Sequence, residues 1–221
     1  MKVAFILLFL MLTRLPLLAG MGILSSNETA SVVSNFNANL AVFRSTISEA
    51  NYAFLGFHST NEISTMTNTN AIVVYSMALS RLRNYHLGDD FRSLLDPWSE
   101  LIVPVVVSTN VRSSFAFRFN AGRTVVSDVK FGQRKLIREL MAMYRSIPTG
   151  NVKSGDVPFA VEIPVFDIWL IGYVDTDDKI VLLPVIDLPL GPFTINRGQP
   201  LTPAVMLRLA TVAQRYNGLP N

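Results

Sequence analysis

Ser113-Ser114-Phe115-Ala116-Phe117-Arg118-Phe119 alternates residue by residue between aromatic rings and small or charged side chains. Successive side chains of a strand point to opposite faces. The spacing therefore predicts a half-buried strand with Phe115, Phe117 and Phe119 on one face and Ser114, Ala116 and Arg118 on the other. Upstream, Leu101 to Val107 is apolar and β-branched, the pattern of a buried strand, with Pro104 marking an edge or a bulge. Downstream, Asn120-Ala121-Gly122 reads as a turn and Thr124 to Lys130 as the hairpin partner. A second hairpin is expected from Val161 to Val174, through Asp175-Thr176-Asp177-Asp178, to Lys179–Leu188, since Asp bonds its own backbone in turns.

Helical periodicity surrounds these strands. Val32, Val33, Phe36, Leu40, Phe43, Ile47 and Phe54 fall mostly at three- and four-residue steps, predicting a long helix over residues 29–55. The Ser-, Thr- and Asn-rich stretch from Gly56 to Asn70 reads as a loop, and Ala71 to Tyr85 as a second helix ended by Gly88. Phe91 to Leu95 is a short helical turn stopped before Pro97. Gln133 to Ile147 is the clearest amphipathic helix, with Leu136, Leu140, Met143 and Ile147 on one stripe. Thr202-Pro203 opens a last helix, Thr as N-cap and Pro at the first helical position. Strands and helices do not alternate one for one. The expected class is therefore α+β, an antiparallel sheet with helices packed on one face, rather than a parallel doubly wound sheet. No repeat or linker interrupts it, so residues 23–221 are read as a single α+β domain.

Residues 1–22 read differently. A positive start, the apolar run Val3 to Leu12 and small residues near Ala19–Gly22 are the parts of a secretory signal peptide. Arg14 and Pro16 interrupt the run, so an uncleaved membrane anchor is the alternative reading. Met21 stands where a lipoprotein signal needs cysteine, which excludes lipidation there. The chain contains no cysteine, so disulfide frameworks, thiolate metal sites and cysteine nucleophiles are excluded.

The sequence holds 19 basic and 16 acidic residues; without Lys2 and Arg14 the balance is 17 to 16, net +1. A global basic field for nucleic acid is therefore missing. The charge is nonetheless uneven. From Arg112 to Arg145, eight basic residues face Asp128 and Glu139, net +6 in 34 residues. Arg134, Arg138 and Arg145, at spacings of four and seven, share one helix face, and with Arg118 and Arg123 they form the candidate binding surface. Gln133 to Lys135 lie at the helix start, where free N–H groups attract anions.

Catalytic motifs are sparse. His86-Leu87-Gly88-Asp89-Asp90 is the one stretch combining imidazole and carboxylate, so His86, Asp89 and Asp90 are the candidate catalytic residues, set against a plain helix end and turn. Two carboxylates among Glu162, Asp167 and Asp187, on or beside the second hairpin, offer a weaker pair for acid–base work. Asp175, Asp177 and Asp178 lack the Gly and Glu of an EF-hand, Ile180 and Ile186 standing in those places. No nucleophile elbow, P-loop or dinucleotide fingerprint is present. No metal or cofactor is expected. The reading is a secreted or periplasmic interaction protein, non-catalytic, whose basic helix meets a protein or other anionic surface. The alternatives are a secreted hydrolase or toxin using carboxylates with His86, and a membrane-anchored component of an envelope assembly.

Overall fold

The computed structural model describes residues 21–22, 24–68, 70–98, 100–119, 126–131, 134–190 and 193–216. The signal-like stretch before Met21, Arg123 and the expected turn at Asn120-Ala121-Gly122 lie outside them.

Helix α1 (Ser26–Thr46) opens with a capping box: the Ser25 hydroxyl accepts from Glu28 N, while Ser25 N donates to Glu28 Oε2 at 2.7 Å. The apolar period runs on to Phe54, but the helix stops at Thr46. There Asn51 folds the chain back, its amide donating to Thr46 O and its carbonyl accepting from Ser48 N. Phe54, expected on the helix face, is left 90% exposed. The expected loop over 56–70 holds a 3-10 turn, Thr60–Thr65, and a short strand, β1 (Met66–Asn68).

The helix expected over Ala71–Tyr85 is corrected: Ile72–Ser76 is strand β2, and Leu79–Arg83 alone is helical (α2). The reason is burial on two sides. Val73 enters one core while Ile72 and Val74 enter the other, which a strand at period two permits and a single helical stripe does not. Asn84 caps α2; Gly88, with φ +102°, serves the following turn instead.

Strands β3 (Glu100–Val107) and β4 (Asn110–Phe119) form the central hairpin, and β5 (Val126–Phe131) pairs antiparallel with β4. Helix α3 (Arg134–Ser146) follows. The hairpin expected from residue 161 to 188 is instead a three-stranded meander of β6 (Phe159–Ile163), β7 (Ile168–Val174) and β8 (Ile180–Pro184). The break between the first two is a turn at Pro164–Phe166 closed by Asp167 in the left-handed region, φ 51°. A small hairpin, β9 (Leu188–Leu190) with β10 (Phe193–Ile195), precedes α4 (Pro203–Arg215), whose N-cap Thr202 accepts from Val205 N as its sequence foretold.

The fold is α+β. The main sheet runs β5-β4-β3-β2-β6-β7-β8, with β1 continuing along β3, and every pairing is antiparallel except β2 with β6. Pro104 sits inside central β3, not at an edge, and the register with β4 shifts just beyond it, between Val105 and Val106, as the bulge alternative expects. It offers no N–H, and the strands on that side break around it: β2 pairs through Glu100–Ile102 and β1 through Val105–Val107.

Alternation along each strand builds two cores. Phe115, Phe117 and Phe119 join Leu101, Val103, Phe159 and Leu170 beneath α1, α2 and α4. The expectation of helices on one face holds for those three. Helix α3 covers the second face, where Ile137, Leu140 and Met141 meet Ile102, Ala116 and Ile171. That face is apolar enough to need a cover because β3, β6 and β7 are buried on both sides.

Candidate functional site

Helix α3 lies across β4 and β7 with its buried stripe fixed by Ile137, Leu140, Met143 and Ile147. That packing decides what the opposite side can present. Lys135, Arg138, Ala142 and Arg145 are exposed; Arg134 begins the helix, but its side chain lies outside the described atoms. Arg145 has no ion-pair partner among the described residues. It borders a cleft of about 450 Å³ with Tyr144, Val152, Lys153 and Ser154. Burial pushes the Tyr144 phenol up from its ordinary range, so it stays a neutral hydroxyl there.

Arg118 is differently placed. It stands opposite Glu100 in the β3–β4 register and donates from Nε to Glu100 Oε2 at 2.8 Å. Half of its side chain stays in solvent (51%), whereas the carboxylate it serves is 12% exposed. The residue thus carries a structural duty as well as a surface charge.

The His86 cluster comes together only as a turn. Asp89 accepts from His86 N at 2.8 Å, with the imidazole Nδ1 at 3.7 Å, and Asp90 accepts from Arg92 N as an N-cap. His86 is exposed, and it lines neither the cleft beside Arg145 nor the cavity between α3 and the β6–β7 connection. The Asp175 carboxylate is spent on the β7–β8 turn, accepting from Asp177 N and Lys179 N, each at 2.9 Å. Asp178 pairs with Lys153 at 2.7 Å and Arg92 at 3.3 Å, and these cations hold its carboxyl below the usual range. Among the described residues no three His, Asp or Glu side chains converge as a metal site.

The carboxylates flagged around the later strands divide. Asp187 caps a loop, accepting from Arg197 N at 2.6 Å. Glu162 and Asp167 instead line one cavity of about 600 Å³ between α3 and the β6–β7 connection. The sequence reading missed its other walls: Lys135, Leu136 and Glu139 from α3, with Trp169, Val185 and Ile186 opposite. Glu139 is held by Arg197, Oε2 to Nη1 at 2.7 Å. The available signal was the parity of β6 and β7, which puts Glu162 and Trp169 opposite each other on the α3 side.

No family model matches the chain, and no curated relative or solved structure matches it either. The functional reading therefore rests on these residues alone.

Proposed function

We propose that this is an exported binding protein, secreted or periplasmic, that meets an anionic partner surface through the outward flank of α3 without catalysing a reaction. The observation that carries it is the exposed pair Arg138 and Arg145 on a helix whose opposite face is locked into the core. A rigid helix presents its charges at fixed spacing, which favours steering and register. The segment around it carries the chain's excess of positive charge. The hydrolase alternative has no comparable support, because Asp89 and Asp90 are both engaged in capping backbone N–H groups.

Export rests on the leader. The expected boundary, with residues 1–22 removed, would take away Met21, which with Leu24 packs against the core and whose O accepts from Val157 N at 3.3 Å; a cut before Met21 keeps these contacts. Among the described residues no helix is long and apolar enough to cross a membrane. Intact mass of protein from its native source tests the cut: a full-length mass moves the proposal to the membrane-anchored alternative.

The binding surface is tested with Arg134→Glu, Arg138→Glu and Arg145→Glu together, against polyglutamate and phosphatidylglycerol vesicles at low and physiological salt. Wild type should bind one of the two, more weakly as salt rises, and the triple variant should lose that binding. Polyglutamate binding points to a protein partner and vesicle binding to a lipid surface. Binding unchanged by the triple reversal ends the assignment.

A further inference from the structure

We propose that the cavity between the start of α3 and the β6–β7 connection binds a zwitterionic ligand with an apolar body, an amino acid or a short peptide. The cavity holds about 600 Å³, within the range of small-ligand sites. Leu136, Trp169, Val185 and Ile186 give it an apolar lining, and Ile186 keeps 48% of its surface in solvent. Its charged groups are not equivalent. Glu139 is bound to Arg197, and Glu162 already has an interaction of its own within the protein. Lys135 and Asp167 remain, both exposed and both without an ion-pair partner among the described residues.

These two come from different walls, α3 on one side and the turn after Pro164–Phe166 on the other. An anion alone would satisfy Lys135 and be repelled by Asp167; a cation alone would do the reverse. An uncharged apolar ligand would strip water from both without replacing it. A ligand bearing a carboxylate and an ammonium beside an apolar group satisfies both charges and covers the lining. Lys135 shares the exposed side of α3 with Arg138 and Arg145, but neither arginine lines the cavity, and the probes and substitutions that test it differ from those for the surface proposed above.

Three probes share one apolar body: L-phenylalanine, 2-phenylethylamine without the carboxylate, and 3-phenylpropionate without the ammonium. Calorimetric titration of the purified protein should show phenylalanine binding roughly tenfold more tightly than either analogue, the scale of one charged hydrogen bond. Lys135→Met should erase its advantage over 2-phenylethylamine, and Asp167→Asn its advantage over 3-phenylpropionate. Both side chains are exposed, and an unchanged far-UV spectrum would verify that each variant folds. Phenylalanylglycine then separates the two ligand sources: tighter binding assigns the site to peptides, weaker binding to free amino acids. Absence of saturable phenylalanine binding, equal binding of all three probes, or indifference to both substitutions overturns the proposal.

Discussion

The two faces of the sheet are built for different tasks. Beneath α1, α2 and α4 the core is aromatic and sealed. Phe115 meets Phe36 and Phe43 edge-on, with ring centroids 5.2 and 5.4 Å apart, and stacks on Phe117 at 5.9 Å. The other face has one helix. Thirteen residues of α3 span about 20 Å and do not reach both ends of a seven-strand path. Polar groups collect where its cover thins: the Glu100–Arg118 pair toward β4, the Glu162–Asp167 cavity toward β7. A face covered by several elements stores stability, and a face covered by one leaves margins where chemistry can sit.

The largest expected effect tests the sealed face. Phe115→Ala removes a fully buried ring that three other rings touch, and should cost about 3–5 kcal/mol, much of a typical domain's total. Leu140→Ala, equally buried but under α3, should cost less, about 2–4 kcal/mol, because the thinner layer can relax into the gap. Urea midpoints of the two variants decide it. If Leu140→Ala is the more damaging, the α3 face is the stronger core and the contrast between the faces is reversed.

A second effect sharpens the margin of the α3 face. Arg118→Gln strands the Glu100 carboxylate, 12% exposed, and should cost about 2–3 kcal/mol. Glu100→Gln leaves a half-exposed guanidinium that keeps its other contact in the protein and reaches water, and should cost about 1 kcal/mol. Equal costs, measured by denaturant melts, would mean that water already reaches Glu100.

How much of this was visible beforehand depends on whether a segment serves one core or two. The strand of alternating phenylalanines and the amphipathic α3 each have one apolar face: α3 was legible to within one residue at each end, and the strand to its last residue, though it begins at Asn110, three residues before the alternation. Ile72-Val73-Val74-Tyr75 was not, because a strand buried on both sides has no alternation, and nearby Met77, Leu79 and Leu82 imitate a helical stripe. Helix α1 was overextended because the Asn51 bonds that end it depend on a side chain folding back over five residues. At the site, Glu162 was in view as a carboxylate beside the apolar hairpin, but nothing local paired it with α3. The cavity exists because a helix from one segment crosses strands from another, and that is a tertiary fact.

The smallest effect returns to the sealed face, at the rim where residues 58–62 close over β4. Arg112 donates from Nη2 to Glu62 Oε1 at 2.5 Å, and Glu62 Oε2 accepts from His58 N at 2.8 Å. Burial pushes the Glu62 carboxyl up, but the His58 N–H and the Arg112 guanidinium outweigh it, and its pKa is held below 4.5. The unfolded chain therefore binds this proton at a higher pH than the folded one. The contribution of Glu62 to stability is full above the unfolded value and fades as pH falls through the folded one. Comparing wild type with Glu62→Gln by urea melts should give a constant gap near neutrality that narrows below about pH 4.5. A gap that persists undiminished into strong acid would show that Glu62 acts through shape and hydrogen bonding rather than charge. The rim would then be sealed as the rest of that face is, by packing, and the charged margins of the molecule would belong to α3 alone.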